Sequence, residues 1–129
     1  MNKFISGLFA ALFLFSITLS AHADNVVQVW NCSLNEGKDG DDAMAVSSAW
    51  LKAAKTMKGG KDLKVFVDWP MAAHSGDGGF NFVLIAPDAK TWGLFNNDYG
   101  DTPAAKADEA WAEVATCSGS SLWQSITVK

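Results

Sequence analysis

The side chains best suited to proton transfer lie in one glycine-rich stretch, DWPMAAHSGDGGFNF, residues 68–82. Beyond residue 23 the sequence has a single histidine, His74, and imidazole is the side chain whose ordinary pKa lies nearest neutrality. Asp68 and Asp77 are the nearby carboxylates able to orient that ring, which makes His74 with Asp68 the candidate acid–base pair of a cofactor-independent enzyme. The competing reading is a connector. Gly76, Gly78 and Gly79 offer positive-φ positions and Pro70 removes a ladder donor, as the turn of a hairpin requires.

Other chemistry is poorly supplied. One histidine and two cysteines cannot assemble a structural zinc site, so no metal is expected. NEGKDGDDAM is acidic but lacks the alternating ligands and terminal glutamate of a calcium loop, and it reads as helix capping. No nucleophile elbow, phosphate-cradling loop or dinucleotide fingerprint occurs, so no cofactor is implied. The chain carries no arginine, and its formal net charge is −4. Nucleic acid, which demands a clustered basic surface, is an improbable partner.

The first residues have the pattern of an export signal: Lys3, an apolar run from Phe4 to Leu19, and a small-residue site at Ala21-His22-Ala23. The run falls short of the roughly 20 residues that a helical membrane span needs, which argues against the rival reading as an anchor. Cleavage after Ala23 leaves residues 24–129 as one domain without a membrane segment, periplasmic or secreted. In that oxidising setting Cys32 and Cys117 are expected to pair in a disulfide, bringing the two ends of the domain together.

Periodicity supplies the elements. Val26–Leu34 reads as a strand. Asp41 and Asp42 offer an N-cap for a helix with Val46, Trp50, Ala53 and Met57 on one stripe, stopped at Gly59-Gly60. Leu63, Val65, Val67 and Trp69 alternate with Lys64, Phe66 and Asp68 as a second strand, and Phe80–Ala86 forms a third. Thr102-Pro103 announces a second helix bearing Ala107, Ala110, Trp111 and Val114, and Leu122–Val128 closes the chain as a fourth strand. Between them, Trp92, Leu94, Phe95 and Tyr99 read as a short helical turn sealing the core, or as a lid with Asn96 and Asn97.

Right-handed crossovers turn this β-α-β-β-α-β order into a four-stranded antiparallel sheet with two helices on one face: an α+β, ferredoxin-like fold. Its first and last strands are neighbours, which suits a Cys32–Cys117 bridge. With its export signal, its VWNCS first strand and its closing CSGSSLWQS, the chain resembles small secreted members of the dimeric α/β-barrel superfamily. That resemblance implies a homodimer built by pairing two sheets face to face. It leaves the reaction open, because the superfamily includes monooxygenases, haem-degrading enzymes, cyclases and isomerases. Haem-degrading relatives ligate iron through a histidine on the second helix, and residues 103–116 contain none.

With both helices on one side, the other face of the sheet needs a partner. Alternation places Lys64, Phe66 and Asp68 there, with Trp123, Ser125 and Thr127 from the last strand. The first and third strands are ambiguous, the first because both its faces are apolar: Val27 and Val29 inward would put Gln28 and Trp30 on that face, and Asn81, Val83 and Ile85 are the choice from the third. Gln28, Trp30, Phe66, Asn81, Trp123 and Ser125 thus form the candidate dimer or ligand face, suited to a small apolar or aromatic molecule. A pocket between sheet and helices is compatible with both uses.

Overall fold

Seven elements follow one another: β1 (Asn25–Leu34), α1 (Gly40–Ala54), β2 (Lys64–Asp68), β3 (Gly79–Ala86), α2 (Ala89–Asn97), α3 (Pro103–Val114) and β4 (Ala115–Ser125). The computed structural model describes residues 24–72 and 79–128. The segment expected to be an export signal therefore lies outside the described residues, as does His74.

The strands are ordered β2-β3-β1-β4 and every neighbouring pair is antiparallel, which is the ferredoxin-like topology. The helices share one face: Trp50 of α1 and Trp111 of α3 both pack on Phe82 of β3, and Phe95 of α2 packs on Trp50. There are three helices on that face where two were expected. The added one, α2, is the aromatic segment, and the Asp88 carboxylate caps it by accepting the Thr91 N–H at 2.7 Å.

Local chemistry fixes where the elements begin and end. Asp39, rather than Asp41 or Asp42, caps α1; its carboxylate accepts the N–H groups of Asp41 and Asp42, while Asp42 reaches back to the Asp39 N–H. The helix also ends earlier than Gly59-Gly60, at Ala54. Gly59 has a different role. At φ +79° it passes so close to α2 that a Cβ would lie 2.7 Å from the Thr91 carbonyl oxygen. Thr102 caps α3 with Pro103 in its first turn, as the sequence suggests.

The last strand starts at Ala115, seven residues before Leu122, with no loop after α3. Asn35 makes this corner possible. Its backbone N–H donates to the Val114 carbonyl, its side-chain amide donates to the Ala112 carbonyl, and its own carbonyl oxygen Oδ1 accepts from the Thr116 hydroxyl. Carbonyls at the end of α3 are thereby satisfied by the residue that follows β1, where a glycine cap would otherwise serve. Small polar residues in ATCSGSS hide this strand from periodicity. Pairing with β1 builds it, with an irregularity that leaves Ser118 unpaired between Cys117 and Gly119.

Register also corrects the first strand. Val26, Gln28, Trp30 and Cys32 stand opposite Ala86, Leu84, Phe82 and Phe80, the buried helix-facing set of β3. Gln28 and Trp30 accordingly face the helices, and Val27 and Val29 occupy the open face. The strand is apolar on both sides, so alternation had no polar face to assign. What decides the matter is the fit of Trp30 beside Phe82, with ring centroids 5.5 Å apart, and the donation of the Trp92 indole N–H to Gln28 Oε1 at 3.1 Å.

Cys32 and Cys117 are directly paired across β1 and β4 and joined by a disulfide. The bridge spans 85 residues, and in the chain-entropy model such a loop contributes about 4–5 kcal/mol. Replacing both cysteines by alanine should lower the unfolding free energy in urea by that order. A loss below about 1 kcal/mol would show that the unfolded chain gains little freedom when the bridge is cut.

Candidate functional site

Between the sheet and the helices lies a cavity of about 400 Å³. Trp30, Phe82 and Leu84 form its floor, while Trp50, Phe95 and Trp111 wall it from the three helices. Its size falls within the range of small-molecule pockets. The same aromatic side chains account for its existence. Helices α1 and α3 contact each other more extensively than either contacts the sheet, and Ala43, Ala54 and Ala104 are fully buried. Bulky rings at Trp50 and Trp111 meet Phe82 edge-on or tilted, not stacked flat, and leave space between the layers.

One ionisable carboxylate, Asp108, lines this apolar chamber. The Tyr99 hydroxyl donates to Asp108 Oδ2 at 2.6 Å, and the Trp50 indole N–H donates to the Tyr99 oxygen at 2.8 Å. An indole N–H can only donate, so the direction of the chain is fixed from Trp50 through Tyr99 to Asp108. Its geometry is anchored at the start of α3. The Thr102 hydroxyl and backbone N–H both donate to the Tyr99 carbonyl, and Asp108 follows on the buried side of that helix. A second polar group, Asn96, lines the cavity and donates one amide N–H to the Trp92 carbonyl at 2.9 Å.

Burial dominates the electrostatics. It pushes the Asp108 carboxyl above its ordinary value, while the Tyr99 and Trp50 donors pull it the other way. The Tyr99 phenol is raised well beyond its usual value, first by burial and then by its bond to Asp108.

The residues singled out from the sequence divide between two faces. Trp30 lines the cavity and Gln28 is held against α2 on the same side of the sheet. Phe66, Asn81 and Trp123 lie on the open face, with Ser125 at its β4 end. There the rows Phe66–Val83–Val29–Ser121 and Lys64–Ile85–Val27–Trp123 run across all four strands. Phe66 and Trp123 are 49% and 61% exposed. Asp68 closes this face beside Asn81 and Asn31, is exposed, and does not line the cavity. Among the described residues no group of three His, Cys, Asp or Glu side chains converges on a metal position.

Asp108 escaped the sequence reading, yet a signal for it exists. Ala104, Asp108, Trp111 and Ala115 are spaced by four, three and four residues, so the acid sits within the apolar stripe of α3. The stripe through Ala107, Ala110, Trp111 and Val114 passes beside it, and Ala110 is exposed.

No protein-family model and no characterised protein sequence matches the chain. Solved structures do. SnoaB, a cofactor-independent oxygenase from Streptomyces nogalater, superposes with a TM-score of 0.55 at 11% identity, over 82% of this chain and 97% of that one. A dimeric ferredoxin-like protein of unknown function from Thermobifida fusca gives a TM-score of 0.48 at 18% identity, covering 82% and 93%. Another, from Bacteroides fragilis, gives 0.43 at 10%, covering 78% and 93%. At these identities the likeness to SnoaB is one of fold.

Tyr99 is the sole tyrosine, so tyrosinate absorbance reports on this site alone. The native protein should form no tyrosinate as pH passes about 10, and unfolding it there should release the signal. Native Tyr99 keeps a proton that the unfolded chain loses, so its contribution to stability is intact below about pH 10 and declines above it. Ordinary titration near pH 10 in the folded state would contradict the buried hydrogen-bonded geometry.

Proposed function

We propose that the protein binds a small, largely aromatic molecule in the cavity between the sheet and the three helices. The observation that carries this reading is the cavity itself: aromatic walls drawn from every layer, with the Asp108 carboxylate and the Asn96 amide among its lining groups. The site thus moves from the open face of the sheet to its helix side. The export-signal pattern read from the sequence and the disulfide both favour action in the periplasm or outside the cell.

Three of the six tryptophans line the cavity, so intrinsic fluorescence can follow occupancy. A neutral planar probe such as 1-naphthol should quench it saturably. Ala112 lines the cavity while remaining exposed, so Ala112→Phe narrows the chamber without overfilling the core. That variant should weaken binding by about tenfold or more, equivalent to about 1.4 kcal/mol. Unsaturable quenching, or equal affinity in the variant, would contradict the proposal.

The open face supports a separate role as a homodimer interface. Phe66, Val83, Val29, Ile85, Val27 and Trp123 make one apolar field across four strands, with Asp68, Asn81 and Asn31 at one end and Asn25 and Ser125 at the other. An apolar centre with a polar rim is the anatomy of a protein interface. Sedimentation velocity should show a dimer for the wild type and a monomer for Trp123→Lys, whose ammonium would be buried without a partner. A variant that stays dimeric at micromolar concentration would contradict this use of the face.

A cofactor-independent enzyme is the second reading. The oxygenase activity of SnoaB favours it, and so does the presence of a proton donor and a proton acceptor in one cavity. In this chain Asp108 and Tyr99 are the pair that geometry offers for acid–base work. Asp68, proposed from the sequence as the partner of His74, lies away from the cavity.

A further inference from the structure

Resting on the cavity as the binding site, we infer that its ligand is an organic cation: a protonated amine carried on a flat apolar body. The first ground is charge. Among the twelve residues that line the chamber there is one carboxylate and no lysine, so nothing in the wall neutralises Asp108. The helix that carries it adds Glu109 and Glu113 against a single Lys106. A carboxylate facing apolar walls is costly unless something of opposite sign pairs with it.

Hydrogen-bond valence gives the second ground. Tyr99 donates to Asp108 Oδ2, and Asp108, half-buried at the chamber wall, is the one charged acceptor there. The Asn96 amide gives one N–H to the Trp92 carbonyl, which leaves its oxygen and its second N–H for other partners. The charged acceptor of the chamber suits a donor-rich group, and an ammonium has donors and nothing else. A ligand carboxylate or phosphate would meet acceptors and a like charge.

The third ground is the nature of the walls. Trp30, Trp50, Trp111, Phe82 and Phe95 present indole and phenyl rings, whose faces attract cations and whose area also buries an aromatic body. Ring faces and one carboxylate together suit a cation with an attached ring better than a neutral hydrocarbon, which would leave the carboxylate desolvated and unpaired. A bound ammonium would also favour the ionised form of Asp108, which burial alone disfavours.

A matched probe series tests this: 1-naphthylmethylamine, 1-naphthalenemethanol and 1-naphthoic acid, titrated calorimetrically against the full mature chain at neutral pH. The amine should bind about tenfold or more tightly than the alcohol, and the acid most weakly. Asp108→Asn keeps an acceptor for the Tyr99 hydroxyl and removes a charge that burial opposes, so it should melt no lower than wild type. It should abolish the preference for the amine, so that amine and alcohol bind within about twofold of each other, well inside a tenfold step. Equal binding of amine and alcohol by the wild type, tighter binding of the acid, or an amine preference that survives in a folded Asp108→Asn variant would overturn the inference. If the alcohol binds saturably and the amine does not, the cavity reading stands and the cation falls. If none of the three binds, the cavity reading fails and the inference with it.

Discussion

The arrangement depends on how three aromatic side chains share the space above the centre of the sheet. Phe82 stands on β3, and Trp50 and Trp111 descend on it from α1 and α3 at steep angles. Rings that meet edge-on cannot close the layer as aliphatic side chains would. The helices stay together through small buried residues while their tryptophans stand between them and the sheet. The proposed binding site follows from the gap so held open.

Around that gap, the fold places few polar groups and holds them firmly. Tyr99 reaches Asp108 because the cap of α3 seizes its backbone carbonyl, and Trp50 completes the chain from the opposite helix. Asn96 is turned by the helix on which it sits. A site built from helical positions and one pinned turn needs little rearrangement to receive a ligand, which limits the entropic cost of binding. Meanwhile the disulfide ties β1 to β4 at the same layer, where Cys117 itself lines the chamber.

Much of this architecture was legible in the order of elements, because β-α-β units and right-handed crossovers leave few topologies. The facing of β2 could be read from Lys64, Phe66 and Asp68 alternating with valines. That of β1 could not, since VVQVW has apolar residues on both sides and its orientation comes from contacts with Phe82 and Trp92. The early start of β4 was hidden because its residues are small and polar, and its pairing is imposed by β1 and by Asn35. At the candidate site, Trp30 was recognised but put on the wrong side. Asp108 was passed over because an acid on a helix reads as solvated until the stripe through Ala104, Trp111 and Ala115 is traced. His74 drew notice as the lone imidazole; no proton chemistry of the cavity as described requires it.

The most direct test is crystallographic. A bromine-substituted arylmethylamine diffused into crystals and located by its anomalous signal should give one strong peak among Trp30, Phe82 and Trp111, with the ammonium within hydrogen-bond distance of Asp108 Oδ1. A peak on the helix-free face, or helices settled onto the sheet so that no chamber remains, would contradict the account.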